Sequence, residues 1–310
     1  MKILVTGATG FLGAALCRGL VGAGHTVVEL GSKDADLRIR GSLDQFSDAY
    51  DQIYHLAAWT QAGDFCLKHP GEQWVINQLI NTHVLDWWQR RQPQAKLITM
   101  GTSCSYSPDL PLSEEHYLEG TPIESLYTYA QTKRMLLVGQ LALQKQYGLS
   151  WLTLVPSTIY GPGYHTDGRQ MHFIFDLIRK ILAAKRFGKT VLLWGDGYQK
   201  RELILAEDFV RDTKSVAAIC SNSVINMGAG CECDIRSYAS MICSIVDYDP
   251  ARIRYDELRY VGAKSKCLDI SKLKQILPAR TLTPLADGLR LTIQWFRQHE
   301  DVLLVSPEPE

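Results

Sequence analysis

The chain of 310 residues contains a tyrosine and a lysine, Tyr129 and Lys133, whose spacing within a helical pattern places both side chains on one helix face. A phenol beside an ammonium can exchange a proton with a reacting oxygen. Near the amino terminus, residues 7–13 (GATGFLG) follow the apolar run 2–6. A strand that turns through glycines into a helix binds a pyrophosphate at the helix N-terminus. Together the two segments predict hydride transfer with a nicotinamide dinucleotide.

The elements that must position these residues alternate along the first half of the chain. Apolar periodicity predicts helices over 11–21, 71–91 and 126–147, and strands over 2–6, 26–30, 52–56, 96–100 and 151–155. Such alternation is typical of the α/β class with a Rossmann-type, doubly wound parallel sheet. We expect residues 1–160 to form this dinucleotide-binding domain, with later segments returning to it.

The second half of the chain is less regular and predicts a smaller C-terminal lobe. The patterns indicate a helix near 171–186, a strand over 190–194 and a turn at 195–197. We expect residues 161–310 to form mainly a substrate-binding lobe. The polar, proline-rich tail 306–310 is expected to fray.

The composition argues against nucleic-acid and membrane partners. The 33 basic residues balance the 33 acidic ones, so no overall field draws the chain to a polyanion. No apolar run reaches the ~20 residues that span a bilayer. Residues 1–24 resemble a signal peptide in hydrophobicity, but Lys2 is the only basic residue of their start, and we interpret them as folded structure. A small-molecule partner is therefore expected.

The eight cysteines are scattered, without a C-x-x-C pair or the histidine spacing of a zinc site. This distribution predicts reduced thiols in a cytoplasmic protein and no metal site. Cys231 and Cys233 are predicted to lie on one strand, where their sulfur atoms share a face without completing a ligand set.

Five motifs follow one another in a characteristic order along the chain. They are GATGFLG at 7–13, HLAA at 55–58, GTSCSY at 101–106, YAQTK at 129–133 and PSTIYGP at 156–162. In this order they resemble the extended short-chain dehydrogenase/reductase superfamily, over essentially the whole chain. The resemblance is to the branch that modifies nucleotide-diphosphate sugars, and within it to enzymes that combine 3,5-epimerisation with 4-ketone reduction. It implies an NADP(H)-dependent enzyme acting on a GDP-4-keto-6-deoxy sugar.

The resemblance implies roles for residues around the tyrosine. Thr102 is the expected hydroxyl partner of Tyr129, because it lies four residues before Tyr106. Ser103 is the second choice and an expected substrate contact. Lys133 is expected to hold the nicotinamide ribose and to lower the pKa of Tyr129, which is about 10 for a free phenol.

The resemblance also implies an inversion pair, Cys104 and His172. Removal of a proton next to the ketone produces an enolate, whose charge falls on the oxygen site that reduction uses. Thiols and imidazoles have unperturbed pKa values of about 8.5 and 6.5, within reach of neutral pH. His165 competes for the histidine role. The alternative is structural: a small core cysteine and a histidine that starts a helix.

The tip of the second strand decides between NADP and NAD. NAD users of this superfamily often carry aspartate where this chain has Gly31, and Ser32 with Lys33 could bind the extra phosphate of NADP. We therefore expect NADP, while Glu29 leaves NAD possible. The expected cofactor contacts are Gly7, Thr9, Gly10, Phe11, Leu12, Gly13, Ser32, Lys33, Leu56, Ala57, Ala58, Tyr129, Lys133, Pro156 and Thr158.

A nucleotide diphosphate requires cations. By resemblance Lys180, Arg201 and Lys266 reach it, and Trp194 lines the pocket.

The helices over 71–91 and 126–147 are expected to pair across a homodimer axis, as they do in relatives. Trp74, Ile76, Trp87 and Trp88 give the first helix more apolar surface than one face can bury. Burial of these side chains in the core of the chain is the alternative.

Two other functions remain open. One is a nucleotide-sugar 4-ketoreductase without epimerisation, or an NAD-dependent 4-epimerase, in which Cys104 and His172 do no chemistry. The other is a non-catalytic dinucleotide-binding sensor. Such sensors tend to lose the tyrosine–lysine pair, which is intact here.

Overall fold

A computed structural model describes residues 1–258 and 264–304 of the chain. The strands are β1 Lys2–Thr6, β2 Thr26–Leu30, β3 Gln52–His55, β4 Lys96–Met100, β5 Trp151–Pro156, β6 Thr158–Tyr160, β7 Val191–Trp194, β8 Lys200–Arg201, β9 Leu203–Leu205, β10 Ser223–Met227, β11 Cys233–Asp234 and β12 Ile253–Asp256. The helices are α1 Phe11–Val21, α2 Phe65–Lys68, α3 Pro70–Arg91, α4 Tyr127–Tyr147, α5 Phe173–Phe187, α6 Ala206–Ile219, α7 Ile235–Val246, α8 Ser271–Ile276, α9 Leu285–Gln298 and α10 Glu300–Leu303.

The centre is a six-stranded sheet with the order β10-β5-β4-β3-β1-β2, in which all neighbours are parallel. This confirms the predicted Rossmann-type fold. The crossovers from β1 to β2 and from β3 to β4 run in opposite directions, so right-handed connections place α1 and α3 on opposite faces. Helix α6 packs against α1, and α4 packs against α3. Ligands of such sheets bind beyond the carboxyl ends of the strands, where the order reverses.

The turn after β1 depends on two glycines. Gly7 has a φ of +69°, and a Cβ atom there would lie 2.7 Å from the backbone nitrogen of Ala57. A Cβ atom on Gly13 would overlap the carbonyl oxygen of Gly7. Because neither glycine has a side chain, the turn lies close to the start of α1 on one side and to the end of β3 on the other.

A second hydrophobic core lies after the main sheet, with large contributions from α5, α7 and α9. It reaches the glycine turn through Phe11 of α1, whose ring packs edge-on against Tyr164 at 5.4 Å and against Phe175 at 5.7 Å. Residues 158–256 also form three two-stranded sheets, β6–β9, β7–β12 and β8–β11. Strand β10 instead returns to the main sheet beside β5.

Two details differ from the sequence-based expectations. The helix expected from residue 171 begins at Phe173, and His172 is its N-cap residue. Cys231 lies in a loop and Cys233 begins β11, so the predicted shared strand face is wrong. The tail 306–310 lies outside the described residues.

The described residues contain neither a membrane-spanning helix nor a cluster of metal ligands. Within 1–258 and 264–304, no helix is long and apolar enough to cross a membrane. In the same ranges, no three His, Cys, Asp or Glu side chains are grouped so that they could hold a metal ion.

Candidate active site

Two hydroxyl groups meet beyond the carboxyl end of β4. Thr102 follows this strand, and Tyr129 lies in the first turn of α4. The two side chains are neighbours, and Thr102 lowers the pKa of the phenol. Thr102 Oγ1 also accepts a bond from the backbone N–H of Cys104 at 3.3 Å. This bond does not use the hydroxyl proton of Thr102, which can be donated to the phenol or to a substrate oxygen.

Lys133 lies one turn further along α4, on the same face as Tyr129. It is 7% exposed, and burial lowers the pKa of its ammonium to about 8. The group therefore remains mostly charged at pH 7. Burial, with a smaller effect of this ammonium, lowers the pKa of His55 to about 4, so that ring stays neutral.

The pKa of Tyr129 shifts in the direction opposite to the prediction. Burial raises it above the ordinary phenol value, the nearby Cys104 and Cys66 add to the rise, and the neighbouring Thr102 side chain opposes it. The expected lowering by Lys133 is wrong for this structure, because the loss of water around the phenol dominates. At neutral pH Tyr129 therefore keeps its proton and can donate it to a developing alkoxide.

A second group of side chains lies beside these hydroxyls. Lys266 Nζ is 3.4 Å from Cys104 Sγ. Burial lowers the pKa of Arg201, and the neighbouring Cys104 opposes this shift. Burial also lowers the pKa of His172, with smaller contributions from His165 and Lys266. The fold thus brings together four predicted site residues from distant parts of the chain: Cys104, His172, Arg201 and Lys266.

His165 has a different environment from His172. Its Nδ1 lies 3.3 Å from a carboxylate oxygen of Asp167. Its ring lies over Tyr164, with ring centroids 4.1 Å apart. His172 is therefore the histidine that neighbours Lys266.

Two carboxylates hold the segment that carries Lys266. Glu232 accepts bonds from the Lys266 backbone N–H at 3.2 Å and from Ser265 Oγ at 2.8 Å. The buried Glu202 accepts bonds from the backbone N–H groups of Leu268 at 2.8 Å and Gly230 at 2.6 Å. The sequence motifs identify neither glutamate. A charged residue directly after the predicted cation at position 201 is the signal that could have identified Glu202.

The other substrate candidates are at least partly exposed. Trp194 ends β7 and is 55% exposed. Ser103 opens the single 3-10 turn between β4 and Tyr106. Lys180 on α5 forms an ion pair with Asp176, with Nζ 3.0 Å from Oδ2. Lys180 must therefore leave or share this carboxylate to bind a phosphate.

The glycine turn fits a dinucleotide phosphate. Among the described residues, no side chain caps the first turn of α1 after Gly10, so its N–H groups are available to an anion. The backbone N–H of Ala57 donates to Thr6 Oγ1 at 3.3 Å, which holds the end of β3 beside the turn. Residues 56–58 follow β3 and Pro156 ends β5, just before Thr158, so these predicted contacts share one sheet edge.

The tip of β2 lies against the same turn. A Cβ atom on Gly31 would be 2.8 Å from Cγ2 of Thr9. Ser32 and Lys33 are exposed. Asp34, which lies outside the five motifs, accepts a bond from the Gly31 N–H at 2.8 Å, so its carboxylate is used within the loop.

The profile of the NAD dependent epimerase/dehydratase family matches residues 3–228. The chain belongs to this family. Membership confirms the family resemblance of the five motifs and identifies an NAD(P)-dependent enzyme.

Relatives match this epimerase/dehydratase family member over nearly its whole length. It is 27% identical over 320 residues to GDP-L-fucose synthase of Escherichia coli K12, with 97% of the chain and 98% of the relative covered. It is 27% identical over 322 residues to dTDP-4-dehydro-6-deoxy-D-allose reductase of Streptomyces bikiniensis, with 96% of each covered. The solved GDP-L-fucose synthetase of Naegleria fowleri bound to NADP is 23% identical, with a TM-score of 0.86 over 98% of the chain and 95% of that structure. The family member shares its fold.

Proposed function

We propose that the protein is an NADP(H)-dependent nucleotide-sugar 3,5-epimerase and 4-ketoreductase that acts on a GDP-4-keto-6-deoxy sugar and forms GDP-L-fucose or a close relative such as GDP-L-colitose. The observation that carries the proposal is the neighbouring Thr102 and Tyr129 hydroxyl groups, with Cys104 and Lys266 beside them. The names of the relatives, which include GDP-L-fucose synthase and a sugar reductase, support the same substrate class.

Reduction uses the two hydroxyl groups. Thr102 holds the ketone oxygen, and Tyr129 donates its proton to that oxygen as negative charge develops there. Because the pKa of Tyr129 is raised, the phenol stays protonated until this stronger base forms. Lys133 holds the nicotinamide ribose. NADPH, when bound, supplies the hydride to the carbonyl carbon and becomes NADP⁺.

Epimerisation uses the same oxygen site. Carbons 3 and 5 both neighbour the carbon 4 ketone. Removal of a proton from either carbon therefore places negative charge on the ketone oxygen, where Thr102 and Tyr129 stabilise it. Cys104 and His172 supply the base and the acid on opposite faces of the sugar. Lys180, Arg201 and Lys266 contribute positive charge for the diphosphate, and the indole of Trp194 lines the pocket.

The cofactor is NADP. The exposed Ser32 and Lys33 supply a hydroxyl and an ammonium where the adenosine ribose would end, which favours an added phosphate. The carboxylate of Asp34 is already bonded to the loop backbone and offers less to a free ribose hydroxyl. The NADP-bound Naegleria fowleri structure supports the same choice.

A nucleotide-sugar 4-ketoreductase without epimerisation is the second candidate. It is favoured by the Streptomyces relative, whose name describes reduction alone. In this case Cys104 and Lys266 would shape the pocket, and Thr102, Tyr129 and Lys133 would perform the whole reaction.

Product analysis in deuterated water tests the proposed function. With GDP-4-keto-6-deoxymannose and NADPH, we expect mass spectrometry to find deuterium on carbons 3 and 5 and a reduced carbon 4. Reduction without deuterium on these carbons would support the second candidate. If neither NADPH nor NADH is oxidised with any nucleotide-linked 4-keto sugar, the proposed function is wrong.

We infer that helices α3 and α4 form a homodimer interface. Trp87 and Trp88 are buried within the chain, so core burial accounts for these two, while Ile76 is half-buried. The exposed sides of the helix pair instead present Trp74, Val75 and Leu79 of α3 and Met135, Val138 and Leu141 of α4. A group of exposed apolar side chains is typical of an interface, and a second copy of the chain supplies the same surface.

Light scattering after size exclusion tests the dimer. We expect the wild type to be a dimer at micromolar concentration, and Leu79→Glu combined with Val138→Glu to be a monomer, because buried unpaired carboxylates oppose association. Leu291→Glu is the matched control, since Leu291 is 45% exposed on α9, and it should remain dimeric. A monomeric wild type would contradict the inference.

We also propose a cytoplasmic location, which the free thiols support, since all eight cysteines of the described chain are unpaired. The division into a dinucleotide-binding domain over 1–160 and a substrate lobe mainly over 161–310 is proposed on the two hydrophobic cores, with β10 and α6 returning to the first.

A further inference from the structure

Tyr117 is a buried tyrosine in the long connection between β4 and α4. It is 1% exposed, although the connection is mostly irregular. Its hydroxyl accepts a hydrogen bond from the backbone N–H of Thr102, with a nitrogen–oxygen distance of 3.2 Å. A buried tyrosine hydroxyl thus fixes the backbone of the residue whose side chain neighbours Tyr129.

A second side chain, Ser105, lies between Tyr117 and the helix that carries Tyr129. The side chain of Ser105 lies near Tyr117 and opposes the rise that burial causes in the pKa of Tyr117. Ser105 Oγ donates to the carbonyl oxygen of Ala130 at 3.3 Å, and Ala130 directly follows Tyr129. Tyr117 thus bonds the backbone of Thr102, and its neighbour Ser105 bonds the backbone beside Tyr129. These are the two residues whose hydroxyl groups must meet at one substrate oxygen.

The surroundings allow the Tyr117 hydroxyl little freedom. A Cβ atom on Gly101 would lie 2.6 Å from it, so the oxygen fills the space left by this glycine. The Tyr117 ring packs edge-on against Tyr106, with centroids 5.4 Å apart. Arg134 of α4 donates to the carbonyl oxygens of Ser105 at 2.6 Å and Gly120 at 2.7 Å, so it holds both sides of the connection against the helix.

We propose that Tyr117 is a positioning residue that sets the separation of the Thr102 and Tyr129 hydroxyl groups, an inference that rests on the proposed ketone reduction. Tyr117 touches neither substrate nor cofactor in this role. It acts through the Thr102 backbone, and small displacements of a catalytic group reduce rates strongly because proton transfer requires hydrogen-bond contact.

The kinetic test compares Tyr117→Phe with Tyr106→Phe. Both variants lose one buried hydroxyl, but Tyr106 bonds Asn226 Oδ1 at 2.6 Å and not the Thr102 backbone. We expect Tyr117→Phe to lower kcat for reduction about tenfold with little change in KM, and Tyr106→Phe to stay within about twofold of wild type. Equal kcat values for the two variants in an active enzyme would overturn the inference and leave the proposed function intact.

A double-mutant cycle separates positioning from general destabilisation. In a Thr102→Ala background, Tyr117→Phe should cost less than about twofold further, because the hydroxyl that it positions is already gone. A full tenfold loss in this background would show that Tyr117 acts by another route. If Tyr117→Phe does not fold, Ser105→Ala removes the neighbour of Tyr117 that bonds the Ala130 carbonyl and should give the same pattern.

Amide hydrogen exchange supplies a readout that needs no turnover. Tyr117→Phe should accelerate exchange of the Thr102 amide about tenfold, since its acceptor is lost, while Tyr106→Phe should not. An unchanged Thr102 rate overturns the inference whatever the activity. A wild type without turnover defeats only the proposed function.

Discussion

Tyr129→Phe is expected to lower kcat for ketone reduction by about 10²–10⁴-fold, the contribution typical of a positioned general acid. The phenol is the group that holds a proton next to Thr102 at neutral pH, because burial raises its pKa. Removal of one hydroxyl leaves the ring, the helix and the glycine turn in place. KM for the sugar and NADPH affinity should therefore change little. Steady-state kinetics and fluorescence titration of NADPH measure the two quantities.

The matched control is Tyr127→Phe. Tyr127 begins the same helix two residues earlier and is 46% exposed. Loss of its hydroxyl should leave kcat within about twofold of wild type, since exposed substitutions away from the site have small effects. If Tyr129→Phe and Tyr127→Phe have similar kcat values, Tyr129 is not the proton donor.

Cys104→Ser is expected to lower deuterium incorporation at carbons 3 and 5 by about 100-fold or more, while reduction of the ketone continues at a measurable rate. A hydroxyl is a far weaker base than a thiolate near neutral pH. The Thr102–Tyr129 pair and the backbone bond from residue 104 to Thr102 Oγ1 do not depend on the sulfur. Time-resolved mass spectrometry in deuterated water separates exchange from reduction. Unchanged product stereochemistry in this variant would eliminate the epimerase role of Cys104.

Cys66→Ser is the control for Cys104→Ser. Cys66 is 7% exposed and lies near Tyr129 and Cys104. Burial raises the pKa of its thiol, partly opposed by the bond from Gln73, so Cys66 stays protonated and is a poor base. Its serine variant should retain exchange at carbons 3 and 5. If Cys66→Ser loses this exchange and Cys104→Ser does not, the base is Cys66 and not Cys104.

Local sequence patterns were sufficient to predict the bounds of most strands of the main sheet and of the helices that flank it. The predicted strand over 96–100 and the helices over 11–21 and 126–147 agree with β4, α1 and α4 within a residue. These segments combine a clear hydrophobic period with glycine or turn signals at their ends, and local chemistry decides such boundaries. The prediction is weaker near His172, where the helix starts two residues later than expected.

The sequence by itself determined the fold class and the tyrosine–lysine pair, because a helical spacing and a glycine turn are local properties. The motifs also named most of the other site residues, but tertiary structure alone decided which of them meet and in what environment. It placed Lys266 against Cys104, Tyr117 against the Thr102 backbone, and enough protein around Tyr129 to raise its pKa where Lys133 was expected to lower it. Contacts between residues far apart in the chain, and the loss of water that shifts a pKa, depend on packing that no local pattern records.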